Sequence, residues 1–556
     1  MASRRLWGCA AVILKRTNKD KSMAVAGRAT IDGLLRRAAA IRPHNPALRD
    51  APNRPLIIGG PVINLSWGEL DGIVDAAAGR LRALGLPIDS VVATQFALSS
   101  EAVIALLAIA RAGLIAAPVP LGWGRRETVQ HLQRLGVRAI LTTGRAGPVE
   151  CADLMRHAAA ECFSVRAVLS IGGPALDGVM ALDDVLDAAS EAEHFEVERA
   201  DNPADHVVLV TADATAAGHV AVPRSHNELI AGGLAPFVSG APDEGSVIAA
   251  TLAPDTFAGL ALQVVPWLMS GGQFVAHPPL ALRALIDDVA ESATSHLVLP
   301  AAAAESLERA DPEALGSLRH VTLLARRGQE AAAAPGAGGD FARDAFLAVG
   351  EAGLIRIAGP DGAVPLGAEH DGQSATLIET RISAEGALMM RGAMVPLNAF
   401  PPGAEHGRPP YWFTDADGFR DTGVPATAGP TPKTMLLAGD AAGVVAVGGR
   451  RFAESDLHAA YAEAGGEIAP VVRADPLLGQ RVAGVIGDGR AVVGLSQRLA
   501  ETGVTPLGVP GGARQSGPLP FEDTRPKDTS PGRDALADTQ AVLEQLLSVA
   551  KAAARR

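Results

Sequence analysis

The chain has 556 residues, 48% of them apolar, ample for a large core; domains of about 100–200 residues would give roughly three to five compact units. Its formal net charge of −12 argues against a nucleic-acid partner, whose phosphates need basic surfaces. The most apolar internal run, Ala102 to Ala110, stops at Arg111, well short of the ~20 residues that span a bilayer.

Residues 1–22 faintly resemble a signal peptide, with Arg4 and Arg5 ahead of the apolar run Leu6 to Leu14. That run is short and its far flank, Lys15, Arg16, Lys19 and Lys21, is strongly basic. A disordered extension with Met23 as a candidate start is the simpler account. Ile31 to Ala40 reads as a helix stopped by Pro43. Ser66 and Glu69 have capping-box spacing, in which each group satisfies a backbone donor at a helix start. The helix that follows carries Leu70, Ile73, Val74, Ala77, Leu81 and Leu84 on one face and ends at Gly85. Val91–Phe96 is then a strand, Glu101–Ala112 a helix, Ile115–Pro118 a strand, Arg126–Leu135 a helix and Ala139–Thr142 a strand. This alternation implies an α/β fold with helix-covered sheets, and it resumes from His206 to about Leu299.

Ala301–Ala304 is expected to be helical and Ala331–Gly339 a surface loop. The Pro-, Thr-, Ala- and Gly-rich stretch Pro425–Lys433 reads as the approach to a domain boundary. Beyond it, Val444–Val447, Ile468–Arg473, Val482–Ile486 and Ala491–Gly494 read as strands. Gly487-Asp488-Gly489 suits a hairpin turn between the last two, and Asp534–Ala553 an amphipathic helix with a basic end. The expected division is an extension over 1–28, a large domain over 29–438 and a small one over 439–556. Cys9, Cys151 and Cys162 are scattered without CxxC spacing, which suggests neither a disulfide framework nor a thiolate zinc site and fits the cytoplasm.

Between about Thr30 and Leu547 the chain resembles the acyl- and aryl-CoA ligases of the adenylate-forming superfamily. The likeness rests on "SWGELDGIVDAAAGRLRALGL", "VVATQFALSSEAVIALLAIARAGLIAAPVP", "GGQFVAHPP" followed by "TSHLVLP", "LGSLRHVTLL" and "APVVRADPLLGQRVAGVI". It implies a large domain of helix-covered sheets with a small, mobile α+β domain after it. It also implies ATP, magnesium, a small carboxylic acid, and CoA or an acyl carrier protein as acceptor.

The family's nucleotide motifs are altered. Its phosphate loop maps onto Ala212 to Val220, in a register fixed by Ser225-His226. Such a loop offers hydroxyls and close backbone N–H groups to phosphate oxygens. Here Thr215 keeps a hydroxyl, with Thr211 just before the loop. Gly218 is its sole glycine, Asp213 adds a negative charge, and Val220 stands where the family has a lysine. No lysine occurs between Lys21 and Lys433. "AVGEAGL" places Glu351 where the family's magnesium-holding glutamate lies. "DGFRDTGV" keeps Thr422 and Gly423, but Val424 replaces the ribose-binding aspartate, leaving Asp421 as a nearby substitute. Gly439-Asp440 stands for a Gly-Arg pair, with Gly443 at the hinge. Lys527, in "LPFEDTRPK", is the candidate for the lysine that stabilises the forming acyl-adenylate; Arg533 is a competing alignment.

Two functions follow. One is an AMP-forming acid–CoA or acid–carrier ligase. The other is a degenerate pseudo-ligase that binds an acyl group or a partner. Losing a charged hydrogen bond weakens binding by ~1–3 kcal/mol, so several losses together at phosphate and ribose are enough to threaten ATP use. An arginine such as Arg224, Arg326 or Arg420 would replace the missing cations only if it points into the cleft. His296 and His320 read as structural, and Met389 and Met390 as core.

Overall fold

The structure is a computed structural model. It describes residues 27–173, 176–187, 197–278, 282–326, 341–358, 361–370, 376–396, 400, 414–447, 449–464, 468–475, 479–486, 497–499, 503 and 514–515. The expectations for 1–22, Ala331–Gly339, Gly487–Gly489, Ala491–Gly494 and Asp534–Ala553 lie outside those residues, as do Lys527 and Arg533.

Two large sheets form the body. The first runs, in spatial order, Met180–Ala181, Ala167–Ser170, Ala139–Thr142, Val91–Gln95, Ile115–Pro118, Val207–Thr215 and Gly218–Ser225. Its strands are parallel except the last, which folds back on its predecessor. The second has a parallel centre, Ala342–Val349, His320–Ala325, His296–Pro300, Val247–Ala250, Gln273–Ala276 and Pro46–Asp50. Antiparallel strands Gly353–Arg356 and Asn64–Ser66 close its two edges. Parallel strands need covering helices on both faces, and the helices expected from sequence supply them. Helix Trp67–Ala83 opens with the Ser66–Glu69 capping box. Its Leu70, Ile73, Val74, Ala77 and Leu81 are buried, while Leu84 is partly buried. Helix Ser100–Arg111 is buried on almost every side, which explains its continuous apolar run.

A third, antiparallel sheet contains Thr376–Ile382, Ala387–Arg391, Arg420–Ala428 and Thr434–Leu437. The stretch Pro425–Lys433 completes one strand and turns into the next. Its Pro and Gly suit a strand end and turn as well as a linker. Val444–Val447 and Arg450–Ala453 form a separate hairpin, followed by helix Glu454–Glu463 and the antiparallel pair Ile468–Asp475 and Gly479–Ile486. This hairpin lies against both strands of the Val207–Ser225 hairpin and brings the C-terminal segment to the mouth of the crevice between the large sheets. Among the described residues no helix is long and apolar enough to cross a membrane.

Candidate functional site

The segment mapped to the phosphate loop is a tight β-hairpin. Strands Val207–Thr215 and Gly218–Ser225 pair without interruption from Leu209–Arg224 to Thr215–Gly218. Only Ala216 and Ala217 remain for the turn. Gly218, at φ +119°, takes a backbone conformation that side chains rarely allow. The Thr215 hydroxyl stays within the turn, donating to the Gly218 carbonyl at 3.2 Å and accepting from the Ala217 N–H at 3.3 Å.

A strand's period of two puts Thr211, Asp213 and Thr215 on one face. Thr211 and Asp213 are buried there, and Asp213 accepts the Glu351 N–H at 2.9 Å. Its two carboxylate oxygens also accept from Arg451 Nη1, at 2.7 and 2.9 Å. Gly350 makes this possible: a Cβ there would collide with both the Arg451 guanidinium and the Asp213 carboxylate.

The neighbouring arginine points the opposite way. Arg450 Nη2 reaches both oxygens of Asp255 at 2.5 and 2.6 Å, on the loop after Val247–Ala250. Successive strand residues face opposite sides. The hairpin 444–453 therefore enters the crevice as a wedge, one arginine bound to each large sheet's side. Gly449, at φ +77°, lies in its turn, and Arg326 approaches that glycine. The Ser455 hydroxyl donates to the Ala216 carbonyl at 3.3 Å, and Asp440 faces Arg451 at 3.7 Å.

Glu351 is buried, with 4% of its surface exposed. Its carboxylate accepts the Phe257 N–H at 2.8 Å, so it caps the start of the helical segment that lines the crevice. Burial, and then the Asp213 charge, push its pKa up to about 7 against the pull of that N–H, of Arg224 and of the Thr211 hydroxyl. The segment runs as Phe257–Gly259, a π-helical Leu260–Val264 and Val265–Ser270. Inserted π-helical turns of this kind recur at functional sites. Gly232 and Gly233 of helix His226–Gly240 let it approach, since a Cβ on either would strike Phe257 or Val265.

The three candidate compensating arginines are placed differently. Arg224 is fully buried, lies 3.4 Å over the Phe257 ring and donates to the Glu351 and Met394 carbonyls. Burial pulls its pKa down to about 10. Arg420 is also buried, and burial followed by the Arg224 charge lowers it to about 9. Arg326 is at the wedge turn. Thus Arg224 supports the backbone beneath the site and presents no exposed cation to a ligand.

At the ribose motif, the Thr422 hydroxyl donates to the Leu388 carbonyl at 2.8 Å, and Asp421 accepts the Gly423 N–H at 2.8 Å. Gly423 has φ +67°. Val424 is buried in the core. The sequence reading thus finds Thr211, Asp213 and Glu351 gathered at one place. It missed Asp255, Arg450 and Arg451. The available signal was the consecutive arginine pair after Gly448-Gly449, because adjacent strand residues must face apart. His296 and His320 are structural as read: His296 bonds the Gly240 carbonyl at 2.9 Å and His320 faces Asp344 at 3.4 Å.

Residues 35–346, more than half of the chain, match the AMP-binding enzyme family. The chain belongs to that family. Solved structures share its fold at low identity. Mycobacterium smegmatis MbtA in its apo form is 20% identical, with TM-score 0.60 over 89% of this chain and 92% of that one. The amide bond synthetase McbA from Marinactinospora thermotolerans is 18% identical, with TM-score 0.67 over 92% and 99%. NpsA-ThdA, an artificially fused adenylation–PCP di-domain from Klebsiella oxytoca, is 17% identical, with TM-score 0.63 over 86% and 92%. No curated protein sequence matches the chain.

Membership of the AMP-binding enzymes implies ATP and magnesium in general terms. The described residues fit them poorly in this chain. The hairpin's pairing uses backbone groups that a cradle would offer, Thr215 is held in its own turn, and the buried Asp213 carboxylate is engaged by the Glu351 N–H and Arg451. Among the described residues no cluster of three or more His, Cys, Asp or Glu side chains is placed to hold a metal ion.

Proposed function

We propose that this AMP-binding family member is catalytically degenerate, and that it binds a small molecule or a protein partner in place of activating a carboxylic acid with ATP. The observation that carries this reading is the pair formed by Asp213 and Arg451 at the position of the phosphate loop. An arginine of the chain itself supplies the positive charge there, and a carboxylate takes it up. Transferring that arginine to a phosphate would leave Asp213 buried beside Glu351 without its counter-charge, which is costly.

The competing reading is an AMP-forming ligase acting on a small carboxylic acid, with CoA or a carrier protein as acceptor. In that reading Glu351 holds magnesium, Thr211, Thr215 and Gly218 meet phosphate, Asp421, Thr422 and Gly423 meet ribose, and Lys527 serves the adenylate. The position of Glu351, within reach of Thr211 and against Asp213, favours it. The division at 438–439 and a cytoplasmic location belong to both readings.

Titration calorimetry with Mg·ATP on folded protein separates them. Degeneracy predicts no heat of binding at millimolar ATP. Binding at or below that range, weakened by Glu351→Ala, would overturn degeneracy and restore the ligase.

A further inference from the structure

Strand Pro46–Asp50 of the second sheet ends at Asp50, and helix Ser100–Arg111 follows strand Val91–Gln95 of the first. Arg54 ties the two together. Asp50, Arg54 and Glu101 are all buried, at 1%, 3% and 0% exposure. Arg54 Nε stands 2.8 Å from Asp50 Oδ2, and its Nη2 donates to Glu101 Oε1. Asp50 Oδ1 also accepts the Ser100 N–H at 2.8 Å and the Ser100 hydroxyl at 2.9 Å. Glu101 Oε2 is buried with no hydrogen-bond partner among the described residues. Two carboxylates thus share one guanidinium away from water, and the fully ionised cluster carries a negative charge in excess.

The same arginine closes the loop over residues 51–63. Its Nη1 donates to the Gly59 and Pro61 carbonyls, each at 2.5 Å. The Ile57 carbonyl accepts the Gly147 N–H at 2.8 Å, and Ile58 packs with Ala97, Ala146 and Cys151 in a small core of its own.

We propose that Arg54 is a pH-set latch for this loop, closed while Asp50 and Glu101 share a proton and loosened once both are ionised. A buried charge without a counter-charge is costly, and opening the loop returns the carboxylates to water. Burial, and then the Glu101 charge, push the Asp50 carboxyl up to about 7 from the ordinary 3.8, against the pull of Ser100 and Arg54. The closed loop therefore holds a proton that the open loop releases. Closure is firmest at low pH and weakens as pH rises to about 7. The other ionisable groups on the elements packed here are engaged or exposed. His277 and Arg49 both bond Asp288, and Asp183 accepts the Gly172 N–H at 2.9 Å. Arg145 and Glu150 are exposed, and burial pushes the Cys151 thiol up, which keeps it neutral. The latch operates whether or not the crevice takes ATP.

Hydrogen–deuterium exchange of the full chain, followed by mass spectrometry from pH 5 to 8, tests the latch. Dividing each rate by that of an unstructured chain removes the base catalysis of exchange itself. Opening at the Ile58 and Gly147 amides, which donate to the Arg54 and Ile57 carbonyls, is expected to grow by up to about tenfold per pH unit and to level above pH 7. In Glu101→Gln, Asp50 and Arg54 pair one to one, and this dependence is expected to vanish. Asp50→Asn carries the same expectation should the first variant not fold by circular dichroism. Opening that is flat between pH 5 and 7, or a dependence that persists in the folded variant, would overturn the proposal. So would an equal dependence in strand Ile115–Pro118, which would make the opening global and not a property of the loop.

Discussion

Replacing Arg451 by methionine tests how firmly the wedge is held. Two unit charges ~4 Å apart attract by about 4 kcal/mol at an effective dielectric of 20. Asp213 is 3% exposed and the Arg451 side chain 13%, so desolvation cancels part of this gain. Arg451→Met alone strands Asp213 against Glu351, whose N–H it accepts, and is expected to cost roughly 3–5 kcal/mol. Asp213→Asn keeps an oxygen for that N–H while removing the charge. Adding it to Arg451→Met should recover much of the loss, giving a coupling energy of about 2–3 kcal/mol in a double-mutant cycle. Urea unfolding of the four proteins gives the cycle, and amide hydrogen exchange over residues 444–453 reports the wedge itself. Coupling below about 0.5 kcal/mol, or exchange in the wedge that ignores Arg451→Met, would refute the assignment of this pair as its anchor.

Glu351 carries a pH signature. Its folded pKa of about 7 stands above the 4.5 of an unperturbed glutamate, so the folded chain holds an extra proton between those values. Stability from this group is present below pH 4.5 and is lost as pH rises through 7, by about 3 kcal/mol. Glu351→Gln should lack that decline, so its stability relative to the native chain should rise between pH 4.5 and 7 and level off above. Gly350→Ala should speed amide exchange in residues 444–453 and leave exchange in the central parallel strands alone, because its methyl group displaces Arg451. Arg224→Met should destabilise the fold by roughly 2–5 kcal/mol in urea, since the Glu351 and Met394 carbonyls each lose a buried donor.

Regular elements were legible where local chemistry dictates them. Ser66 with Glu69 marked a helix start, and the apolar spacing from Leu70 to Leu84 marked its buried face. Strands Ile115–Pro118 and Ala139–Thr142 stood out as short runs between turns and helices. Two kinds of feature were hidden. The hairpin at Ala216-Ala217 carries weak turn residues, because its register comes from the ladder between Leu209 and Thr215 and from what packs on it. The site's charges were hidden for another reason. Asp213 and Arg451 are 238 positions apart, as are few pairs that local spacing can reveal, and Asp255 meets Arg450 across 195. Arg224 is legible as a cation, but its burial depends on the Phe257 ring and two distant carbonyls. No pattern around residue 224 announces them.

The wedge has a bearing on solubility. Among the described residues Gly218–Ser225 is the last strand of its sheet, so no described strand pairs with one side of its backbone. Strand Arg450–Ala453 and helix Glu454–Glu463 lie against it, and Val220, Ala221 and Val222 are buried. Exposed apolar strand edges are templates for pairing between molecules. The segment that fills the crevice therefore also shields a sticky border, and variants that free it should self-associate in proportion to how often they open.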